Sequence, residues 1–218
     1  GQIQLTLETI TRGQEQDLER FGDGSKLKSL KNSEQLDDYT YHVAGCVGEF
    51  WTHLTRRHCF PNADIDDSRF LTLAIRFGKA LQLVNILRDL PGDLEQGRCY
   101  LPSSDLTMAG LKPEDLRDPA NWPKLEPVLK PWVNRANEHL AAAWQYTLMI
   151  PHEHYRLRIA CALPILMGKR TLDLITAGNP LEPAINRKIS RTEVYGIRWS
   201  ILWRVPFRGP WQRLFGNK

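Results

Sequence analysis

Apolar residues recur at every third or fourth position through most of the chain, which is the spacing of one buried face of an α-helix. The pattern is clearest over four segments, 33–57, 68–90, 127–149 and 155–176. No segment of useful length alternates apolar and polar residues as a half-buried strand does. Polar or proline-containing stretches separate the helices at 59–67, 101–126 and 177–186. The pattern predicts an all-α fold with long helices packed as a bundle around a central cavity.

The 68–90 helix carries polar side chains on one stripe of an otherwise apolar segment. Gln82, Asn85, Asp89 and Asp93 follow one another at intervals of three or four residues and therefore lie near one helical face. Carboxylate and carboxamide oxygens facing a cavity suit Mg²⁺ that bridges to a phosphate. A solvated helix end is the other interpretation of two acidic residues here, but the carboxamides and Arg88 favour a metal site.

Two glycines interrupt the 33–57 helix at positions 45 and 48. Glycine inside a helix costs about 1 kcal/mol relative to alanine. We therefore expect this helix to approach a neighbouring helix or a ligand closely. Tyr39 and Val43 share one face of the same helix, one turn apart.

Composition and charge exclude several classes of protein. Hydrophobic residues make up 42% of the chain and charged residues 25%, which is globular rather than disordered. The four cysteines, Cys46, Cys59, Cys99 and Cys161, form no CxxC pair, which predicts reduced thiols and a cytoplasmic location.

The basic residues concentrate in the C-terminal tail, so we divide the chain into a helical domain at 1–186 and a basic, aromatic tail at 187–218. The tail holds eight Lys and Arg residues against Glu193 alone, interleaved with aromatic residues. That composition predicts contact with the inner face of a membrane as a peripheral protein. The alternative is a helix docked on the body with its arginines in solvent. One basic tail is too small a surface for nucleic-acid binding, and we expect none.

Three segments resemble the squalene/phytoene synthase family. They are YTYHVAGCVGE at 39–49, QLVNILRDLPGDLEQGRCYLP at 82–102 and ITRGQEQDL at 10–18, in the family's order and spacing. RKISRTEV at 187–194 resembles a later family segment. The aspartate segment is the most specific of these, and the resemblance extends over nearly the whole chain.

The resemblance implies an isoprenoid-synthase-like bundle that condenses two prenyl diphosphates head to head with Mg²⁺. Two farnesyl diphosphates would give presqualene diphosphate or squalene, which we favour, and two geranylgeranyl diphosphates would give phytoene. NADPH would be needed only for squalene, and nothing in the sequence marks a nicotinamide site.

The resemblance also assigns roles to individual residues. Asp89, Asp93 and Asn85 would hold Mg²⁺, and Tyr39 and Arg88 would be catalytic. Tyr39 would assist proton handling or the departure of diphosphate, although a tyrosine on an apolar face is ordinarily a core residue. The substrate-binding residues would be Gln82, Asn85, Arg98, Tyr100 and Val43. Arg98 and Tyr100 could instead pair with surface groups.

Two departures from the family pattern qualify these expectations. Family members carry a first aspartate-rich segment before the equivalent of ITRG, and no such segment is present between residue 1 and residue 10. We therefore expect an N-terminally incomplete form that is inactive by itself. Pro91-Gly92 lies between the aspartates, so we expect the helix to end or kink at Leu90.

Two functions other than catalysis remain open at this point. A non-catalytic family member that acts in assembly would keep the bundle and lose the aspartates. A lipid carrier would use the cavity for binding and the tail for anchoring.

Overall fold

The computed structural model describes residues 1–22, 27–182 and 188–216, and within this part the fold is helical. The helices are α1 (Gln2–Phe21), α2 (Ser33–Thr40), α3 (Cys46–His58), α4 (Asp67–Glu95), α5 (Ser103–Met108), α6 (Trp122–Met149), α7 (Tyr155–Thr176), α8 (Arg191–Arg204) and α9 (Arg208–Gln212). A parallel pair of two-residue strands, β1 (Lys28–Ser29) and β2 (Arg98–Cys99), lies among them. The all-α prediction is confirmed.

Helix α4 is the centre of the bundle. Its N-terminus is capped by the Asp66 side chain, which accepts a hydrogen bond from the backbone nitrogen of Arg69 at 3.0 Å. Helices α3, α6 and α7 pack around it, and it is long and apolar enough to cross a membrane by length and composition. Nearly half of its most apolar window is buried against those neighbours, as in the core helix of a bundle.

Of the end or kink expected at Leu90, the end was wrong, because α4 continues through Pro91 and Gly92 to Glu95. Leu90 and Leu94 are both buried, on either side of the proline. We attribute the extra turn to this packing, which offsets the backbone hydrogen bond that proline cannot donate. Asp93 therefore stays on the same helix as Asp89.

The predicted 33–57 helix exists but contains an irregular turn. The five residues Tyr41–Gly45 form a π-helical turn that joins α2 to α3. Such turns are rare and often accompany functional sites. Helix α1 crosses this turn at Gly13, where an added Cβ would lie 2.9 Å from the Cβ of His42.

The loop predicted at 101–126 contains more structure than expected. It includes α5 and two 3₁₀ turns, and α6 already begins at Trp122. The predicted 155–176 helix matches α7, whereas part of the predicted 177–186 loop and the proposed boundary at 186 lie outside the described residues.

Glycines allow α3 and α4 to touch through their backbones. A Cβ at Gly48 would lie 2.2 Å from the carbonyl oxygen of Ala74, and one at Gly78 would lie 2.1 Å from that of Ala44. Both obstacles are backbone atoms, which cannot move without shifting a helix. The close approach expected from the glycines of the 33–57 helix is therefore confirmed for Gly48.

The C-terminal helices pack on the body. Helix α8 lies against α7, and α9 brings Trp211 against Trp144 of α6 with ring centroids 5.2 Å apart. The indole nitrogen of Trp144 donates to the carbonyl oxygen of Gln212 at 3.3 Å. Trp211 is buried, so part of the tail completes the core.

We expect Gly48→Ala to lower the free energy of unfolding by about 2–3 kcal/mol, because the new methyl group overpacks a backbone contact. Gly196→Ala is the matched control, since nothing lies within 4 Å of its Cβ position on α8. It should raise the free energy of unfolding by up to about 1 kcal/mol through helix propensity. Urea unfolding followed by circular dichroism measures both. Equal effects of the two substitutions would contradict the close helix crossing.

Candidate active site

The polar stripe of α4 faces partly open space. Gln82, Asn85, Arg88, Asp89 and Asp93 are all half-buried, whereas the intervening Leu83, Val84, Ile86, Leu87 and Leu90 are buried. The side chains of Gln82 and Asn85 make no hydrogen bond within the described part of the chain, so their amides are available to a ligand. The predicted stripe is present as one surface.

Arg88 and Asp89 neutralise each other across adjacent positions. The guanidinium donates from Nε to Oδ1 of Asp89 at 2.8 Å and from Nη2 to Oδ2 at 2.5 Å. This hydrogen bonding raises the pKa of Arg88 even though partial burial opposes the shift. The pair keeps a cationic group beside a carboxylate, and both are partly exposed, so each can separate to meet a ligand of opposite charge.

Ionisation is less favourable at Asp93 than at an exposed carboxyl group. Burial raises its pKa to about 6, and the neighbouring charge of Asp89 adds to the shift. Arg98 acts in the opposite direction but does not compensate for both. Two carboxylates one helical turn apart thus carry negative charge that the surrounding protein balances only in part.

A turn at Gly97 connects the C-terminal end of α4 to Arg98 and Tyr100. Gly97 has φ 77°, a conformation that glycine adopts without strain, and it follows the C-cap of α4. Strand β2 begins at the next residue and pairs with β1 in the register Lys28 to Arg98. Arg98 is thereby close enough for its charge to act on Asp93, and the Tyr100 hydroxyl two residues later contacts Asp17.

Tyr39 and Tyr100 form an aromatic pair beneath the polar groups. Their rings stack with centroids 4.9 Å apart and an interplanar angle of 21°. Burial raises the pKa of both hydroxyls, and their interaction with each other raises that of Tyr100 further. Both tyrosines are therefore neutral at pH 7 and can donate hydrogen bonds.

Asp17 is a site residue that the sequence analysis did not single out. The Tyr100 hydroxyl donates to its Oδ1 at 2.9 Å, and Nη1 of Arg98 lies 3.4 Å from its Oδ2. The only signal in the sequence was its place in the ITRGQEQDL segment, because no spacing rule links position 17 to position 100. The contact depends on how α1 crosses the bundle.

An apolar groove of about 380 Å³ extends along α4 away from the aspartates. Val43 lines it, together with Trp51 of α3, Phe77 and Leu81 of α4, and Tyr146 of α6. Leu81 precedes Asn85 by one helical turn, so the groove and the polar stripe occupy successive parts of the same helix. The arrangement suits a ligand with an anionic head and a hydrocarbon chain.

The donor set fits Mg²⁺ in its usual protein environment. The described residues contain no group of three or more His, Cys, Asp or Glu side chains placed to hold a metal. Mg²⁺ is commonly held by one or two carboxylates with waters and substrate phosphates. Asp89 and Asp93 supply two carboxylates and Asn85 adds a carboxamide, and a cation would balance the charge of the partly buried Asp93 beside Asp89.

The helical bundle, with aspartates and an apolar groove along its central helix, has the all-α isoprenoid-synthase fold. A dehydrosqualene synthase solved with a ligand superposes with a TM-score of 0.74 over 93% of this chain, at 21% identity. A squalene synthase from Alicyclobacillus acidocaldarius gives a TM-score of 0.65 over 79% of the chain, at 23% identity. These likenesses show the fold.

The chain belongs to the squalene/phytoene synthase family, whose model matches residues 3–193. It is similar to a 15-cis-phytoene synthase of Enterobacter agglomerans, with 38% identity over 113 residues or 50% of this chain. It is also similar to a bifunctional lycopene cyclase/phytoene synthase of Podospora anserina, with 42% identity over 88 residues or 40% of this chain.

The chain matches only part of these proteins. The matched region covers 36% of the Enterobacter protein and 15% of the Podospora protein. It covers 65% of the dehydrosqualene synthase and 59% of the squalene synthase.

We expect Asp93 to make the metal-free protein less stable as the pH rises. In the unfolded chain this carboxyl ionises near pH 4, and in the folded protein near pH 6, so stability is lost between those values. Asp93→Asn should be more stable than the unsubstituted chain by about 2 kcal/mol at pH 8, after allowance for partial exposure. Near pH 4 the two should be equal.

Urea unfolding in EDTA at pH 4, 6 and 8 measures this difference. Asp89→Asn in the same series controls for the loss of any one carboxylate from the stripe. A stability difference for Asp93→Asn that does not change with pH would contradict the raised pKa.

Proposed function

We propose that this protein catalyses the Mg²⁺-dependent head-to-head condensation of two prenyl diphosphates. The observation that carries the proposal is that α4 presents partly exposed polar side chains from Gln82 to Asp93, while Phe77 and Leu81 of the same helix line the apolar groove. Membership of a family whose relatives include phytoene synthases supports it. A non-catalytic assembly protein or lipid carrier would have no need of a charged, metal-suited stripe on the helix that lines the groove.

The charged residues would act on the diphosphate. Mg²⁺, when bound by Asp89, Asp93 and Asn85, would neutralise the charge that develops on the departing diphosphate. Arg88 and Arg98 would contact the diphosphate oxygens directly, and Gln82 would donate its amide hydrogens. Arg88 would have to leave Asp89, with which it is paired.

The reaction breaks one allylic C–O bond and leaves a carbocation on the first prenyl chain. The double bond of the second chain attacks that cation, and loss of a proton closes a cyclopropane ring. Tyr39 is neutral at pH 7, because a tyrosine ordinarily ionises near pH 10 and burial raises its pKa further. Its hydroxyl would therefore donate to the diphosphate rather than accept the proton as a phenolate, and the released diphosphate would serve as the base.

The apolar groove would bind the hydrocarbon chain and exclude water from the cation. Sequence relatives at 38–42% identity are named as phytoene synthases, which supports geranylgeranyl diphosphate as substrate and phytoene as product. This differs from the sequence-based expectation of farnesyl diphosphate. Phytoene would form from the resulting cyclopropylcarbinyl diphosphate by loss of the second diphosphate, rearrangement of the cation and loss of a further proton. None of these steps takes up electrons, so NADPH is not part of the proposal.

The exposed face of α8 would place the protein at the cytoplasmic surface of a membrane. Tyr195, Trp199, Leu202 and Trp203 are exposed on one side of this helix, with Arg198 at its edge. Helical residues at this spacing share a face, and aromatic with basic residues suits an anionic lipid surface. The buried Trp211 shows that the tail is also docked, so the two interpretations of the tail apply to different faces.

We expect Asp89→Asn to reduce Mg²⁺-dependent turnover of geranylgeranyl diphosphate by at least about a hundredfold while the chain stays folded, because the residue stabilises charge in the transition state. The assay uses the chain extended by its native flanking sequence, with Mg²⁺, each prenyl diphosphate in turn, and mass spectrometry of the lipid extract. Glu95→Gln, an exposed acidic residue at the end of α4, is the control.

Turnover unchanged by Asp89→Asn would remove that residue from the site. Absence of product from both farnesyl and geranylgeranyl diphosphate would favour the assembly or carrier function. Product from farnesyl diphosphate alone would restore the shorter substrate.

We expect Trp199→Gln/Trp203→Gln to weaken sedimentation with vesicles of anionic lipid several-fold, because two exposed aromatic anchors are lost. Met108→Gln, which changes an equally exposed apolar residue on α5, should have no effect. Point substitutions are preferable to deletion of the tail, since deletion would also uncover Trp144. Unchanged sedimentation of the double variant would show that α8 is not the membrane surface.

A further inference from the structure

Asp17 uses both carboxylate oxygens on groups that belong to the opposite side of the site. Its Oδ1 accepts from the Tyr100 hydroxyl and its Oδ2 faces the Arg98 guanidinium. Asp17 lies on α1, whereas both partners lie on or just after β2, so the contacts join elements about eighty residues apart in the chain. The Asp17 side chain is 17% exposed, which limits competition from water.

Two carboxylates, those of Asp17 and Asp93, interact with the Arg98 guanidinium. Its charge is felt at Asp93, but of the two acidic groups only Asp17 lies within 4 Å of the guanidinium. Asp93 consequently has no ion-pair partner within the described residues. If Arg98 turned to Asp93, it would satisfy that carboxylate and oppose the binding of a cation there, because like charges repel.

The contact with Tyr100 fixes the position of the Asp17 carboxylate relative to Arg98. Phe21 packs edge-on against the Tyr100 ring at 5.3 Å, and Tyr39 stacks on its other side at 4.9 Å. With the ring fixed in this way, its hydroxyl holds Asp17 at a defined place beside Arg98. The carboxylate is therefore an anchored partner for the guanidinium rather than a mobile surface charge.

We propose that Asp17 is a positioning residue that holds Arg98 away from Asp93 and so leaves Asp93 free to bind a cation. The inference rests on the proposed function for the identity of the cation site. The position of Arg98 can be measured without any metal. Asp17 acts through Arg98 and does not itself contact the cation.

The first experiment locates Arg98 by nitrogen NMR of its guanidinium in metal-free protein. The Arg98 Nε resonance, assigned with Arg98→Gln, should shift in Asp17→Asn and stay nearly unchanged in Asp93→Asn. In the Asp17→Asn background, the same resonance should become sensitive to Asp93→Asn, because the guanidinium has moved to the remaining carboxylate. A shift in Asp93→Asn alone as large as that in Asp17→Asn would overturn the proposal.

The second experiment measures Mn²⁺ binding to the same chains by electron paramagnetic resonance, with Mn²⁺ standing in for Mg²⁺. Asp17→Asn should weaken binding roughly tenfold, as the loss of a group that supports a metal ligand commonly does. Adding Arg98→Gln should return the affinity to near its starting value, because no guanidinium remains to occupy Asp93. A defect of folding would not be repaired by removing a second group.

A charge-matched control separates positioning from simple electrostatics. Arg12→Gln removes an exposed positive charge from α1 without touching Arg98. The control compares two double variants, Asp17→Asn/Arg12→Gln and Asp17→Asn/Arg98→Gln. If both restore Mn²⁺ binding equally, the proposal is overturned, because net charge alone would then explain the effect. No binding of Mn²⁺ by the unsubstituted chain would overturn the metal site of the proposed function, while the resonance experiment would still decide where Asp17 holds Arg98.

Discussion

The close crossing of α3 and α4 is the constraint on which the site depends. Gly48 and Gly78 remove the side chains that would separate these helices, so backbone meets backbone at both places. Protein interiors are packed densely enough that one methyl group at such a contact displaces a helix. The crossing fixes α4 beside the π-helical turn that holds Val43, and it sets Tyr39 opposite the end of α4. The crossing therefore shapes the groove, whereas the polar stripe follows from residue spacing along α4.

The carboxylates of the site lie close together near the C-terminal end of α4, where ionisation of Asp93 is unfavourable. Asp93 ionises less readily than a free carboxyl because it is partly buried beside Asp89, and Arg98 is drawn to Asp17 instead. Groups with shifted pKa values cluster at functional sites, where a bound ligand can offset the unfavourable free energy of ionisation. Many apolar residues of α4 are buried, and their packing holds the helix in position despite the charged residues near its C-terminal end.

The C-terminal segment combines two roles that its composition could not separate. Trp211 and Leu214 are buried, with Trp211 against Trp144, whereas Trp199 and Trp203 point away from the body. The ammonium group of Lys169 lies 4.6 Å from the centre of the Phe215 ring and strengthens the docked part. The tail therefore closes one side of the bundle and leaves an aromatic face of α8 uncovered. The division follows the two helices, because Trp199 and Trp203 lie on α8 whereas Trp211 lies on α9 and packs against α6.

The sequence by itself determined the helices, the polar stripe of α4 and the family, because each depends on residues close together in the chain. Periodicity predicted the 155–176 helix at its observed bounds, and spacing placed Asp89 and Asn85 on one face. Tertiary structure decided the rest. Packing of Leu90 and Leu94 carried α4 through Pro91, and the crossing of α1 brought Asp17 to Tyr100. Local propensity cannot encode such contacts, since they join segments whose separation is set only when the bundle closes.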